Sequence, residues 1–173
     1  MNNRLLIVVD MQNDFIDGPL GTEEARSIVS KIKDKIAQTY LAWFTLDTHD
    51  TRYLETQEGI FLPVPHCIVG TEGRAIHHDL VRDMRIVETF SKSTFGSTHI
   101  GECVRKMFDE RVIDTVELVG VCTDICVISN ALLIKAYCPE IPIYVDASCC
   151  AGSTPDRHQA ALNVMRSCQI NVI

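Results

Sequence analysis

Apolar residues recur along the chain in short unbroken runs separated by amphipathic stretches. Leu5 to Val9 form the first run, which ends at Asp10. A run of that length, apolar on both faces, predicts a parallel strand covered by helices. Residues 23–39 follow, with Ala25, Ile28, Val29, Ile32 and Ile36 at helical spacing, Thr22 as N-cap and acids in the first turn. The alternation then repeats. Strands are expected over Leu41 to Leu46, ending at Asp47, and over Arg85 to Thr89, followed by a polar loop that holds Lys92. A helix over 99–111, a strand over Val112 to Val121 and a helix over 124–137 come next. A fifth strand, Ile141 to Val145, ends at Asp146. A helix over 155–167 carries Pro155 in its first turn, and the tail QINVI makes a sixth, edge strand. Between Thr48 and Thr71 lies a long irregular stretch with Gly59, Pro63, Pro65 and Gly70. Loops of that length inside a domain usually carry function. A short helix is expected over 74–80.

Strand alternating with helix predicts a three-layer α/β/α fold with a mostly parallel central sheet, in one domain over residues 1–173. Right-handed crossovers put the strand ends on one rim. Asp10, Asp47, the loop with Lys92, Val121–Cys122 and Asp146 all follow expected strands, where ligands of such sheets bind. Neither GxGxxG nor GxxxxGK[ST] occurs in the sequence, which argues against a dinucleotide or P-loop enzyme.

Composition narrows the partners. Hydrophobic residues make up 46% and the formal net charge is −7. An acidic chain is a poor match for nucleic acid or an anionic membrane, and no stretch is long enough to span a bilayer. Eight cysteines raise the question of disulfides. Met1 to Arg4 lead straight into LLIVVD without the pattern of a secretory leader, and a core of this size needs no staples. A reducing, cytoplasmic setting is therefore expected, with most cysteines acting as small buried hydrophobes.

One cysteine stands apart. GVCTDICV, residues 120–127, spans a strand-to-helix junction. With Thr123 as N-cap, Cys126 lies a turn into the helix, where free N–H groups and the helix dipole favour thiolate and can hold an oxyanion. The competing roles are a core cysteine packing the helix, or a redox or metal pair with Cys122; Cys149 and Cys150 offer a second adjacent pair. Asp10 and Lys92 at neighbouring strand ends would complete an ionic cluster, with lysine stabilising the thiolate and the carboxylate shuttling its proton. Taken singly, they would be a loop-bracing carboxylate and a solvated lysine. In the long loop, Asp47 and His49 of DTH, His66 of VPHC and Glu58, with Glu55 as competitor, make a mixed N/O set for zinc, iron or manganese. His77, His78 and His158 are expected to be surface or capping residues.

Six stretches taken together carry a resemblance: LLIVVDMQNDFIDGPL at 5–20, LDTHD at 46–50, LPVPHCIVGTEG at 62–73, KSTFGS at 92–97, GVCTDICV at 120–127 and DASCCAGSTPDRH at 146–158. In this order they resemble the isochorismatase-like cysteine hydrolases, Rossmann-like in topology, and within them the nicotinamidases. The resemblance implies Asp10, Lys92 and Cys126 as the catalytic set, with the backbone N–H groups of Cys122 and Cys126 as oxyanion hole and a cis peptide before Cys122. It implies Phe15 and Val121 as substrate contacts. It implies one divalent ion, zinc before iron or manganese, on Asp47, His49, His66 and a varying fourth ligand for which Glu58 is the candidate. The expected reaction is hydrolysis of nicotinamide to nicotinate and ammonia through an acyl-cysteine. The alternatives are a sibling acting on another small amide or on isochorismate, a catalytically silent family member, and a thiol redox protein. A homo-oligomer is expected by the same resemblance.

Overall fold

Six parallel strands make one sheet in the order β3-β2-β1-β4-β5-β6. The computed structural model describes residues 3–81 and 88–173. Its strands are β1 Arg4–Val9, β2 Leu41–Asp47, β3 Glu88–Lys92, β4 Thr115–Val121, β5 Ile143–Ala151 and β6 Asn171–Val172. The helices are α1 Asn13–Ile16, α2 Glu23–Ala37, α3 Gln57–Phe61, α4 His78–Val81, α5 Thr98–Asp109, α6 Ile128–Tyr137 and α7 Pro155–Ser167. The fold is three-layered. Leu6 and Val8 of β1 face α2 through Ala25, Ile28 and Ile32. Leu5, Ile7 and Val9 face α5, α6 and α7 through Val104, Ile134 and Met165. Burial on both faces explains the unbroken apolar run of β1. Strand order reverses between β1 and β4, which opens a crevice beyond their carboxyl ends. No helix among the described residues is long and apolar enough to cross a membrane.

The caps follow the sequence. Thr22 and Thr154 accept from Ala25 N–H and Arg157 N–H, and Pro155 opens α7. β6 pairs only with β5, at the edge.

Several boundaries differ from expectation for local physical reasons. The start of the third expected strand, Arg85 to Val87, lies outside the described residues. Its visible part runs on to Lys92, because the ladder with β2 continues through Leu46↔Ser91 and Asp47↔Lys92. Lys92 therefore ends the strand rather than occupying the following loop. β4 starts at Thr115 and not at Val112, since the N–H groups of Val112 and Ile113 both turn back onto Met107 O at the end of α5, around Arg111 at φ 57°. The stretch expected as a helix over 74–80 is a 3₁₀ turn at Glu72–Arg74 followed by α4. α1 and α3 fall inside segments expected to be irregular.

β5 is the largest departure. It runs six residues past its expected end, to Ala151, and its ladder shifts register between Leu118↔Val145 and Gly120↔Cys150. The irregular segment is braced from α2, with Lys35 Nζ 2.6 Å from Asp146 Oδ2 and Lys31 Nζ donating to Ser148 O. Asp146 is thus five residues short of the rim and does not join the site. Cys149 and Cys150 project into opposite core layers, so their sulfurs point apart. All eight cysteines are free thiols.

Candidate active site and metal-ligand cluster

β1 delivers Asp10 to the crevice. Its backbone adopts φ 49°, a left-handed conformation that Asp tolerates better than most side chains. Thr45 on β2 fixes it twice, accepting from Asp10 N–H at 3.1 Å and donating to Oδ1 at 2.5 Å. Oδ2 has the Lys92 ammonium 2.7 Å away as ion-pair partner and, among the described residues, no further hydrogen bond. Lys92 is buried too. Its Nζ stands 3.6 Å from Cys126 Sγ and 3.6 Å from Asp47 Oδ1, so one ammonium faces a thiol and two carboxylates.

Cys126 reaches this point because β4 ends in an abrupt turn. Gly120 has φ 119°, and a Cβ there would stand 2.1 Å from Val9 O, so only glycine lets β4 press this closely on β1. The Val121–Cys122 peptide is cis. A π-helical turn, Thr123–Val127, carries the thiol, and α6 continues from it. Such turns concentrate at functional sites. Thr123 is not the N-cap. Cys122 holds that position, its carbonyl accepting from Ile125 and Val127 N–H, while the Thr123 hydroxyl meets His158 Nδ1 at 2.8 Å. Asp124 binds Ser153 through N–H and Oγ at 2.7 and 2.6 Å. Both contacts dock the turn onto the start of α7, which gives His158 a bracing role instead of a surface one. His77 likewise is buried, its Nε2 at 3.0 Å from Asp17 Oδ2, whereas His78 is exposed.

The electrostatics differ from the expected lowered thiol. Burial, reinforced by the Asp10 carboxylate, pushes the Cys126 thiol well up, against the pull of Lys92. Burial also raises the Asp10 carboxyl, with Asp47 adding to the rise and Lys92 opposing it. Burial would lower Lys92, but Asp10, Cys126 and Asp47 outweigh it and hold the ammonium above its ordinary range.

Beside this group, Asp47, His49, Glu58 and His66 bring one ligand atom each within 4.8 Å of one another. His49 Nε2 lies 2.9 Å from Asp47 Oδ2, and His66 Nε2 lies 3.4 Å from the same oxygen. Glu58 Oε1 stands 3.7 and 3.8 Å from the two imidazoles. Thr56, capping α3 by accepting from Gly59 N–H, aims Glu58 inward. His66 Nδ1 donates to Val64 O at 2.8 Å, which turns Nε2 toward the carboxylates. Burial would raise Asp47, but His49, His66 and Lys92 hold it well below the usual carboxylate range. Burial and the Asp47 charge push Glu58 up. Two carboxylates and two imidazoles converging in a largely buried place form a cluster able to chelate a divalent cation.

Residues outside the expected set hold these groups. Gln12 is fully buried; its Oε1 accepts from Asp47 N–H at 2.7 Å and its Nε2 donates to Asp47 O and Arg74 O, each at 2.8 Å. Asp14 Oδ2 accepts from Cys67 N–H at 2.7 Å and so anchors the segment behind His66. Tyr53 packs against both imidazoles, with ring centroids 4.7 and 5.0 Å away.

A cavity of about 430 Å³ opens onto both groups. Cys126, Asp47, Glu58 and His66 line it together with Phe15 and Val121. Phe95 and Ile125, which sequence reasoning did not single out, add apolar wall.

Comparison with known proteins agrees with this architecture. Residues 4–173 match the model of the isochorismatase domain. The chain is 30% identical over 176 residues to an uncharacterized isochorismatase family protein, PncA, of Bacillus subtilis, covering 92% of each. It is 27% identical to the nicotinamidase/pyrazinamidase of Mycobacterium tuberculosis, covering 98% of each. The crystal structure of a pyrazinamidase/nicotinamidase from Streptococcus mutans superimposes with a TM-score of 0.80 at 29% identity, over 98% of this chain and 99% of that one. The chain belongs to the isochorismatase family, on its nicotinamidase–pyrazinamidase branch.

Proposed function

We propose that the protein hydrolyses nicotinamide to nicotinate and ammonia, with Cys126 as nucleophile, Asp10 as proton carrier and Lys92 between them. The observation that carries this reading is the position of Lys92, 2.7 Å from Asp10 and 3.6 Å from both Cys126 and Asp47. It joins a nucleophile-and-base pair to a metal-ligand cluster on the wall of one cavity.

Asp47, His49, Glu58 and His66 would hold one divalent ion, zinc first by donor type, with iron and manganese as alternatives. Bound there, the ion would supply Lewis acidity toward a pyridine nitrogen. Phe15 and Val121 supply apolar walls for a flat ring. The raised thiol implies a neutral resting Cys126, and the raised carboxyl makes Asp10 a stronger base than an ordinary carboxylate. Attack is then coupled to proton transfer. Sulfur bonds to the carboxamide carbon as the thiol proton passes to Asp10, and Lys92 steadies the charge. The backbone N–H groups of Cys122 and Cys126 are the assigned oxyanion donors. Collapse breaks the C–N bond, and Asp10 returns the proton to the leaving ammonia. Asp10 then takes a proton from water, whose oxygen attacks the thioester. Nicotinate leaves and the sulfur is reprotonated.

Ammonia release from nicotinamide, with and without chelator, tests the reading. Turnover should need metal and vanish in Cys126→Ala, while that variant keeps its thermal transition. Turnover of other small amides or of isochorismate, with nicotinamide untouched, would move the assignment to a sibling hydrolase.

A further inference from the structure

Asn130 takes no part in the chemistry above. It is the third residue of α6, is fully buried, and stands apart from the cavity lining. Its carboxamide makes three hydrogen bonds, all to backbone. Nδ2 donates to Cys126 O at 2.8 Å and to Phe95 O at 3.3 Å, and Oδ1 accepts from Ser97 N–H at 3.0 Å. Cys126 carries the thiol. Phe95 and Ser97 belong to the turn that directly follows Lys92. A single side chain therefore ties the thiol's turn to the segment that ends β3. The close approach is built in at Gly96, where a Cβ would stand 2.6 Å from Leu133 Cδ1 and 3.1 Å from the Ser129 backbone carbon. Only a carboxamide offers two donors and an acceptor at this reach; Asp has no donor when ionised, and Ser or Thr has one.

Lys92 needs such a tie. Among the described residues β3 is an edge strand, held in the sheet by β2 alone. Asp10 and Asp47 fix the ammonium relative to β1 and β2, yet both lie on the sheet side. Nothing in those contacts sets the distance from the lysine to the helix side, where Cys126 sits.

We propose that Asn130 is a positioning residue that sets the Lys92–Cys126 separation by clamping the backbone after Lys92 to the backbone of Cys126. This rests on the assignment of Cys126 as the nucleophile and is independent of which amide is the substrate. At an effective dielectric near 20, an ammonium retreating by about 1.5 Å from its present place supports roughly tenfold less thiolate.

The test is the rate of Cys126 alkylation by iodoacetamide in the full chain at fixed pH, read by mass spectrometry of the peptide that contains it. No amide turnover is involved, so the result stands whether or not nicotinamide is hydrolysed. Asn130→Ala should slow alkylation about tenfold, and Asn130→Ser, which keeps one donor, should slow it less. In a Lys92→Met background, the Asn130 substitutions should change the rate less than about twofold, because the effect they act through is already gone. Equal slowing in both backgrounds, an unchanged rate, or faster alkylation from a loosened core would each overturn the proposal. If Asn130→Ala does not fold, the same cycle with Asn130→Ser decides the question.

Discussion

Two lysines among the described residues are set between two carboxylates. Lys92 lies between Asp10 and Asp47 at the carboxyl rim of the sheet. Lys35 of α2 lies between Glu117 of β4 and Asp146 of β5, on the α2 face away from that rim. The pairs look alike in a list of charges, and their surroundings separate them. At Lys35 every carboxylate oxygen is used: Glu117 takes Lys35 on one oxygen and Arg4 at 2.5 Å on the other, and Asp146 takes Lys35 on one and Ser148 N–H and Oγ on the other. Lys35 also keeps 23% of its side chain exposed, against 2% for Lys92. At Lys92, Asp10 Oδ2 keeps room for a proton, a thiol stands within reach and a cavity opens beside both. Ion pairing by itself is therefore no sign of catalysis. An acceptor left under-used next to a buried thiol is the feature that sets Lys92's surroundings apart.

The largest expected effect breaks this comparison directly. Lys92→Met should reduce kcat/KM for nicotinamide by about 10³-fold, within the range for removal of a charge partner in proton transfer. Lys35→Met should leave kcat/KM within twofold. Instead it should cost about 2 kcal/mol of stability, since buried Glu117 keeps only Arg4. Urea unfolding beside steady-state kinetics on both variants checks the pair. Comparable kinetic losses would mean that the α2-face cluster, too, serves the reaction.

A smaller effect separates the two clusters by ligand chemistry. Imidazoles surround Lys92's partner Asp47, and none lies among the groups that hold Lys35. His49→Ala should lower bound metal from one ion per chain to near zero and reduce kcat/KM roughly 10²-fold. Elemental analysis after dialysis measures the first and ammonia release the second. Metal content that stays at one ion per chain would remove His49 from the ligand set.

Much of this contrast was legible in the sequence, and the failures have physical causes. β1, β2 and the end of β4 are buried on both faces, so their apolar runs stop where the chain meets the crevice, and Asp10, Asp47 and Cys122 stand at those stops. His49 shows itself by its spacing from Asp47. Glu58 was separable from Glu55 only by the cap that Thr56 makes, because an irregular loop has no period to fix its facing. Asp146 looks like a rim residue because it follows an apolar run as Asp10 does, while the shift in register within β5 that removes it from the rim is a tertiary event. Lys92 reads as a loop residue because an edge strand with alternating exposure gives only a weak signal. Asn130 gives almost no sign of its role in the sequence; its one trace is a carboxamide among the apolar residues of ISNALLIKAY, and two of its three partners, Ser97 and Phe95, lie more than thirty residues away in the chain.

The smallest expected effect concerns pH and sharpens the comparison from the α2 face. Burial would raise the Asp146 carboxyl, but Lys35 and Ser148 outweigh it and hold it below its ordinary value of 3.8. A carboxylate lowered by folding stabilises the fold above its unfolded value, and that contribution disappears as pH falls through the lower folded value. Burial would lower Lys35, but Asp146 and Glu117 outweigh it and hold it above 10.5. Its contribution is full below 10.5 and disappears as pH rises through the higher folded value. The coupling between Lys35 and Asp146 should therefore be flat from about pH 5 to 9 and fade at both ends. A double-mutant cycle of Lys35→Met with Asp146→Asn, followed by thermal unfolding across pH, measures it. The cycle cancels the many other carboxylates that titrate in acid, because they are common to all four proteins. A coupling that fell steeply near neutral pH would place a different titrating group between the two, and the likeness of the two lysine clusters would then extend to function.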